Sequence, residues 1–182
     1  MNLLGVAGSL RCSSHNRRLL QAAAPLLPPE VQFTEYDGLK LIPPFDEDDE
    51  ARGHEAVDAL RAAIADADVV LLATPEYNHS IPGQLKNALD WISRPITESP
   101  LRGKPAAVVG TSTGLFGAVW AQAEARKVLA ALGADVLDRE LPIGLADDAF
   151  DGDGLADPDH ALALGSILEE LCAKNAEPAI AA

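Results

Sequence analysis

The sequence feature that most limits the possible folds is the stretch of residues 69–91, VVLLATPEYNHSIPGQLKNALDW. It opens with an apolar run without alternation, which is typical of a strand buried on both faces of a parallel sheet. The pattern of apolar residues then changes to that of a helix. Ser80 suits a helix cap, Pro82 suits a first helical turn, and apolar residues recur at helical spacing. These inward positions are Leu85, Ala88, Leu89 and Ile92. The stretch predicts strand, loop and helix, and the loop at 75–79 follows a parallel strand, where open α/β sheets bind ligands.

Length, charge and cysteine content narrow the class of protein. The 182 residues, 48% of them hydrophobic, suit a single domain over 1–182 with one core. A net charge of -14 argues against nucleic acid or an anionic membrane as partner. No apolar run reaches membrane-spanning length, and the first residues lack the basic region of a signal peptide. Cys12 and Cys172 stand far apart in the sequence with no paired spacing, which suggests neither a disulfide framework nor a zinc site. We therefore expect a cytoplasmic protein.

The alternation of apolar runs and helical patterns predicts the architecture. Five strands are expected, each followed by a helix, and a frayed tail is expected over 175–182. This pattern is typical of an α/β fold with a doubly wound, five-stranded parallel sheet in the flavodoxin-like order 2-1-3-4-5. The expected strands are residues 2–7, 31–36, 68–74, 105–111 and 135–137. The first helix is expected to continue until Pro28 and Pro29 stop it. An acidic loop at 147–157 is expected before the last helix, where Asp157 can cap, Pro158 takes the first turn, and the inward residues are Leu164, Ile167, Leu168 and Leu171.

The loop after the first strand has the residue types of a phosphate site. Its sequence, GSLRCSSHN at 8–16, combines hydroxyls, backbone N–H groups, a helix N-terminus and the cation of Arg11. It lacks the Walker lysine and the G-x-G-x-x-G spacing. A monophosphate without magnesium therefore fits better than a nucleoside triphosphate or a Rossmann-type dinucleotide. Serines before a helix are also ordinary caps, so this alternative stays open.

A third loop, STGLFG at 112–117, follows the fourth strand and lets the backbone approach a flat ligand at Gly114 and Gly117. In the order 2-1-3-4-5, strands 1 and 3 are neighbours whose connections leave in opposite directions, so their loops open a crevice. A phosphate at the first loop and a planar ring against the other two describe FMN.

With these three loops the sequence resembles the NADPH-dependent FMN reductase family, which includes bacterial chromate and quinone reductases and related azoreductases. The resemblance extends from the first strand to about Asp157. It departs from many relatives at Cys12 and Ser13, where a basic or glycine-like pair is expected. The motifs that carry it are GSLRCSSHN at 8–16, PEYNHSIPGQLKNALDW at 75–91 and GTSTGLFGA at 110–118.

The resemblance implies the residues that bind FMN. Those expected at the phosphate are Ser9, Arg11, Ser14 and Asn16, with the backbone of His15. Those expected at the isoalloxazine are Pro75, Glu76, Tyr77 and Asn78, largely through backbone groups, with Ser112, Thr113 and Gly114 at its other edge. No catalytic side chain and no metal are expected, because FMN carries the chemistry.

The implied activity is an NAD(P)H oxidoreductase. NADPH or NADH reduces the bound FMN by hydride transfer, and the flavin then reduces a small-molecule acceptor, either a quinone, chromate, an azo compound or free flavin, in a ping-pong cycle. The resemblance also implies a homodimer or homotetramer. Trp91 falls off the inward stripe of its helix, which predicts an exposed aromatic residue at a subunit contact.

Two alternatives stay open at this point. A flavodoxin-like electron carrier would share the fold and the acidity. A low-molecular-weight phosphatase would use Cys12 and Arg18 as a C-x5-R phosphate cradle and Asp157 as a general acid, but it leaves the loops at 75–79 and 112–117 without a role. The acidic run at 46–50 has no calcium-loop alternation and indicates a solvated loop.

Overall fold

A computed structural model describes residues 1–176, and its centre is a parallel sheet with the strand order 2-1-3-4-5. Every neighbouring pair in this order is parallel. The predicted fold class and strand order are confirmed, and the predicted strand limits agree to within one residue. The strands are β1 Asn2–Ala7, β2 Gln32–Tyr36, β3 Val69–Thr74, β4 Pro105–Thr111 and β5 Asp135–Val136.

Helices cover both faces of the sheet because alternate strand residues point to opposite sides. In β3, Val70 and Leu72 face one apolar core, whereas Val69 and Leu71 face the other. Helices α2, α3 and α4 pack on the first face, and α1 and α5 pack on the second. The helices are α1 His15–Ala23, α2 Glu55–Asp66, α3 Gly83–Ile92, α4 Val119–Ala131 and α5 Pro158–Ala176.

The predicted inward residues of α3 and α5 are buried. Leu85, Ala88, Leu89 and Ile92 pack in the first core, and Leu164, Ile167, Leu168 and Leu171 pack in the second. The start of α5 also follows the prediction. The Asp157 carboxylate accepts a hydrogen bond from the Asp159 N–H at 2.9 Å, and Pro158 is the first residue of the helix. Amphipathic periodicity was therefore sufficient to orient both helices.

Two helix ends differ from the prediction. The first helix was expected to run to Pro28, but α1 ends at Ala23 and continues as a 3-10 turn, Ala24–Leu26. Pro25 lacks the N–H that would continue the α-helical pattern. Ser80 was expected to cap α3, but Pro82 is the residue before its first turn, and Ser80 belongs to the preceding tight turn.

The prediction of an exposed Trp91 is wrong. Its side chain is only 5% exposed, and its ring meets the Phe45 ring edge to face at a centroid distance of 5.1 Å. The indole N–H donates to the Pro43 carbonyl at 2.9 Å. The loop before the acidic run covers this side of α3, which helical periodicity alone does not reveal. Trp91 is therefore a core residue, and it gives no support to a subunit contact.

The region after α4 contains strands that the sequence did not predict as separate elements. After β5 the chain leaves the sheet and returns as β6, Pro142–Ile143, which pairs with the carboxyl end of β4. The expected acidic loop at 147–157 contains a short antiparallel hairpin, β7 Phe150–Asp151 and β8 Gly154–Leu155. Strand β6 thus supports β4 at the edge where the ligand loops lie.

The expected frayed tail begins after Lys174, but Asn175 and Ala176 still belong to α5. The rest of that tail lies outside the described residues. Within residues 1–176, no helix is long and apolar enough to cross a membrane. The acidic run at 46–50 lies at a 3-10 helix, Glu47–Arg52, and Asp46 caps it by accepting from the Asp48 N–H at 2.9 Å.

Candidate functional site

Loops after β1, β3 and β4 enclose one cleft at the carboxyl edge of the sheet, as expected for adjacent parallel strands. The structure brings together most of the predicted binding residues there and adds Thr111, which was not predicted. Asn78 and Gly114 do not line this cleft. Its lining residues are Ser9, Arg11, Ser14, His15, Asn16, Pro75, Glu76, Tyr77, Thr111, Ser112 and Thr113.

The N-terminus of α1 faces the cleft with free backbone donors. Ser14 caps the helix, since its hydroxyl accepts a hydrogen bond from the Arg17 N–H at 3.3 Å and its carbonyl accepts from Arg18 at 3.1 Å. The N–H groups of His15 and Asn16 precede the first helical hydrogen bond and have no helical acceptor. Together with the helix dipole, they favour an anion at this point.

Arg11 is the cation of this region that is available to a ligand. Arg17 is ion-paired with Glu35. The Arg18 guanidinium lies 4.4 Å from the centroid of the Phe150 ring, on the hairpin side of α1. Arg11 is exposed and makes no ion pair with a carboxylate within residues 1–176; its guanidinium donates to the Ser13 hydroxyl at 3.4 Å. A phosphate in the cleft would give Arg11 its counter-charge.

The Asn16 side chain connects α1 to β4. Its amide nitrogen donates to the Thr111 carbonyl at 2.9 Å, and its amide oxygen accepts from the Thr111 N–H at 3.0 Å. Asn16 is buried, so this pair of hydrogen bonds is shielded from water. The side chain that we expected at a phosphate therefore holds the floor of the cleft, and the backbone N–H of Asn16 is the group that remains for a ligand.

Glu76 connects the loop after β3 to the start of α4. Its carboxylate accepts hydrogen bonds from the backbone N–H groups of Trp120 and Ala121 at 3.1 and 3.2 Å. The residue before α4, Ala118, has no side-chain cap and has a left-handed φ of 61°. Glu76 therefore acts as a cap from a distant part of the chain, and its negative charge lies at the positive end of the helix dipole.

The next residues form a tight turn rather than a row of free donors. Tyr77 and Ser80 exchange backbone hydrogen bonds at 3.0 and 3.2 Å, and Asn78 and His79 between them have φ values of 54° and 62°. Positive φ at both central positions is typical of a type I′ turn. The Tyr77 N–H is thus committed to the turn, which leaves the Tyr77 side chain at the cleft and directs Asn78 away from its lining.

The loop after β4 is held against the returning chain by backbone hydrogen bonds. The Ser112 N–H donates to the Ile143 carbonyl at 3.1 Å, and the Ser112 carbonyl accepts from the Ala146 N–H at 3.0 Å. At Gly117, φ is 55° and an added Cβ would lie 2.3 Å from the Pro142 carbonyl carbon, so only glycine fits. The loop forms a fixed wall of the cleft.

Two contributors to this wall were missed by sequence reasoning. Thr111 ends β4 directly at the cleft, and its hydroxyl donates to the Ile143 carbonyl at 2.8 Å. Gln122 is buried and bonds both Gly117 and Leu141 through its amide. The hydroxyl of Thr111 at a strand end was a usable signal, whereas nothing local in the sequence marks the long-range partner of Gln122.

A second depression adjoins the cleft and extends the concave surface beyond the phosphate loop. It shares Arg11 and Tyr77 with the cleft and continues past the start of α3. Its remaining lining residues are Gly8, Leu10, Pro82, Gly83 and Gln84. The two depressions together form an elongated surface with basic and hydroxyl groups at the α1 end.

The residues of the phosphatase alternative are not arranged for that chemistry. Cys12 is exposed, whereas Arg18 points toward Phe150 and donates to the Gly152 carbonyl at 3.4 Å. Asp157 caps α5. Among residues 1–176, no group of three or more His, Cys, Asp and Glu side chains is placed to hold a metal ion.

Comparison with known proteins gives consistent matches over most of the chain. The family model for NADPH-dependent FMN reductases matches residues 1–148. An NAD(P)H-dependent FMN reductase of Pseudomonas aeruginosa is 45% identical over 156 residues, which cover 85% of this chain and 83% of that protein. A 2-hydroxy-1,4-benzoquinone reductase of a Burkholderia species is 41% identical over 150 residues, which cover 82% and 81% of the two chains.

One solved structure is similar to this chain in both fold and sequence. FerB, a flavoenzyme NAD(P)H:(acceptor) oxidoreductase from Paracoccus denitrificans, superposes with a TM-score of 0.84 at 31% identity. The match covers 96% of this chain and 97% of FerB. The similarity therefore includes the sheet, the helices on both faces and the edge where the cleft lies.

Proposed function

Because this chain belongs to the NADPH-dependent FMN reductase family, we propose that the cleft at the carboxyl edge of its sheet binds FMN and that the reduced cofactor passes electrons to a quinone. The activity class, an NAD(P)H-dependent FMN reductase of the quinone reductase type, follows from the family and from its relatives. The observation that carries the proposal is the meeting of three loops, after β1, β3 and β4, in one cleft.

The donors at the α1 end suit a phosphate monoester. The hydroxyl of Ser9, the guanidinium of Arg11 and the backbone N–H groups of His15 and Asn16 provide one cation and several neutral donors around the helix N-terminus. Ser14 can donate its hydroxyl proton to a phosphate oxygen while its lone pair holds the Arg17 N–H. We assign the cofactor phosphate to these five residues.

The two facing walls suit a planar ring. Pro75, Glu76 and Tyr77 border one side, and Ser112 and Thr113 border the other. Asn78 and Gly114, which the resemblance also implies, would contribute only through the loops that they shape, since neither lines the cleft. When bound, FMN supplies the redox chemistry between NAD(P)H and the acceptor. The chain positions the cofactor, orients the loops and limits access of water, and no catalytic side chain is needed.

The reaction is tested by two-substrate steady-state kinetics with NADH or NADPH and 1,4-benzoquinone. A ping-pong cycle predicts parallel double-reciprocal lines as the fixed substrate is varied, because the oxidised nicotinamide leaves before the acceptor enters. Intersecting lines would require both substrates to be bound together and would contradict the proposed cycle. The same assay compares NADPH with NADH and tests chromate, azo compounds and free flavin as acceptors.

An electron carrier of the flavodoxin type is the main alternative, and it is separated by the same experiment. A carrier would hold FMN but would not oxidise NAD(P)H directly. The 45% and 41% identical relatives both have reductase names, which favours the enzyme.

We also propose a cytoplasmic homodimer or homotetramer in which residues 1–182 form one FMN-binding domain. The supports are the resemblance to the family, the central parallel sheet with both faces covered, and the two free cysteines, which suit a reducing compartment. Sedimentation equilibrium of the purified protein measures the assembly state directly; a monomeric mass would remove the oligomer from the proposal.

A further inference from the structure

Exposed aromatic side chains are concentrated beside the cleft. Phe, Tyr and Trp make up only 4% of the chain. Within residues 1–176, the exposed members of this group are Tyr77, Phe116 and Trp120, at 48%, 63% and 43% exposure. All three lie in the loops that follow β3 and β4 or at the first turn of α4. The other aromatic residues are buried or half-buried, so this distribution is specific to one side of the molecule.

Trp120 is the centre of this group. Its ring contacts the His79 ring at a centroid distance of 4.9 Å and the Phe116 ring at 5.1 Å, with interplanar angles of 86° and 61°. The backbone N–H of Trp120 donates to the carboxylate of Glu76, which itself lines the cleft. We refer to His79, Phe116 and Trp120 as the aromatic patch. The Glu76 contact makes the patch continuous with the proposed flavin site.

We propose that the aromatic patch determines acceptor specificity by holding the ring of a planar, uncharged acceptor, a quinone, at the entrance to the cleft. This inference rests on the proposed function and adds to it the residues that select the acceptor class. Offset or edge-to-face contacts between aromatic rings stabilise such a ligand beyond the burial of its surface. Phe116 and Trp120 provide these contacts, and His79 supports the Trp120 ring from the side.

Charge favours the same class of acceptor. The chain has a net charge of -14, and Glu76 and Glu124 lie directly beside the patch, with Glu124 accepting the Ser80 hydroxyl. His79 is the ionisable group of the patch itself, and its ring nitrogen lies 3.6 Å from the Glu76 carboxylate. The negative potential disfavours the binding of a small oxyanion such as chromate but has little effect on the binding of a neutral ring.

The three side chains of the patch alone offer less surface than a stable protein interface needs, but the exposed side chains of Leu115 and Leu145 lie next to them, so the sedimentation mass measured below separates a small molecule from a second copy of this chain. A stable protein interface buries roughly 800 Å² on each partner. An aromatic side chain buries about 150–250 Å² when it is fully covered, and the three side chains of the patch are already partly covered by one another. The exposed remainder matches one or two aromatic rings.

The test uses Phe116→Leu and Trp120→Leu, which remove the aromatic ring but keep an apolar side chain. Both are made in a Cys12→Ser background, because quinones alkylate exposed thiols. Trp120→Phe retains a ring and is the rescue variant, and Leu162→Ala is the matched control, since Leu162 is 72% exposed on α5 away from the cleft. Binding of 2-methyl-1,4-naphthoquinone to the oxidised, FMN-loaded protein is measured by calorimetry, where no turnover occurs.

Each Leu variant is expected to raise the quinone Kd and the quinone KM by about three- to tenfold. Trp120→Phe should recover most of the affinity. The FMN Kd, the rate of anaerobic reduction by NADH, the kcat/KM for chromate and the sedimentation mass should all stay at the values of the background protein.

Three results would overturn the inference: an unchanged quinone Kd in both Leu variants, an equal loss with chromate, or a change in sedimentation mass, which would make the patch a subunit contact. A background protein that binds no FMN, or whose flavin NADH does not reduce, contradicts the proposed function itself. A failure of the acceptor-site proposal can be told apart from a failure of the proposed function, because FMN binding and reduction by NADH precede the acceptor step.

Discussion

Arg11 shows how the proposed phosphate site depends on single residues. Three arginines, Arg11, Arg17 and Arg18, lie within or just after the loop that follows β1, but two of them have partners elsewhere: Glu35 for Arg17, and Phe150 for Arg18. From the sequence alone, we assign Arg11 to the FMN phosphate and Arg18 only to the phosphatase alternative. The partners of Arg17 and Arg18 hold these side chains elsewhere, whereas Arg11 is exposed and lines the cleft.

Replacing Arg11 with Ala should weaken FMN binding about tenfold, the lower end of the effect of losing a hydrogen bond to a charged group. The Kd is measured by quenching of flavin fluorescence, and the loss should shrink at high ionic strength because salt screens an exposed cation. Lys127→Ala is the control, since Lys127 is an exposed cation of α4 that does not line the cleft. Equal affinities of the two variants would place the phosphate elsewhere.

The two thiols should differ in reactivity. Burial, followed by the nearby Glu30 carboxylate, raises the pKa of the Cys172 thiol, so little of the reactive thiolate is present at neutral pH. Cys12 is exposed. Titration of the native protein with Ellman's reagent at pH 8 should show one fast and one slow thiol, with Cys12→Ser removing the fast phase. The slow phase should accelerate as the pH rises toward the Cys172 pKa; two equally fast thiols would contradict the half-buried position of Cys172.

At the scale of secondary structure elements, the loops of the site are held in place by helices and strands far away in sequence. Glu76 joins the loop after β3 to α4, and Asn16 joins α1 to the end of β4. Each connection is made by one side chain to two backbone groups. The three loops are thus parts of one hydrogen-bonded frame.

Replacing Glu76 with Ala should lower the free energy of unfolding by about 1–2 kcal/mol, because α4 loses its distant cap and a favourable charge at its N-terminus. Glu76→Gln keeps an acceptor and should lose less. Urea unfolding of the flavin-free proteins measures both. If Glu76→Ala unfolds at the wild-type midpoint, the carboxylate does not act as a cap.

Trp91 should behave as a core residue of α3. Trp91→Ala should destabilise the fold by about 3–5 kcal/mol, as expected for truncation of a large buried aromatic. Trp91→Phe keeps the contact with Phe45 and loses the hydrogen bond to Pro43, at a cost of about 1 kcal/mol. Thermal unfolding measures the stability, and sedimentation measures the mass. A variant with unchanged stability but a smaller sedimentation mass would indicate that Trp91 lies at a subunit contact.

At the scale of the whole molecule, the parts of the fold that were predictable are those with a strong local signal. The unbroken apolar run of β3 and the helical spacing in α3 and α5 identify buried strands and inward helix faces. From these elements the order 2-1-3-4-5 and the meeting of three loops follow, since parallel strands present their carboxyl ends at one edge.

The parts that were not predictable depend on contacts between distant residues. Trp91 is buried by Pro43 and Phe45, and no periodicity within α3 contains that information. Strand β6 and the hairpin of β7 and β8 have two residues per strand, too few to show an alternating pattern. The amide of Asn16 was expected at a ligand and instead binds Thr111, 95 positions later.

The cleft is proposed to hold FMN that NAD(P)H can reduce. The most direct measurement is an anaerobic absorbance spectrum of the purified protein, supplemented with FMN and freed of excess, before and after addition of NADH or NADPH. We predict flavin bands that stay with the protein and bleach when the nicotinamide is added. Retained bands that do not bleach would indicate an electron carrier, and a protein that retains no flavin would contradict FMN binding in the cleft.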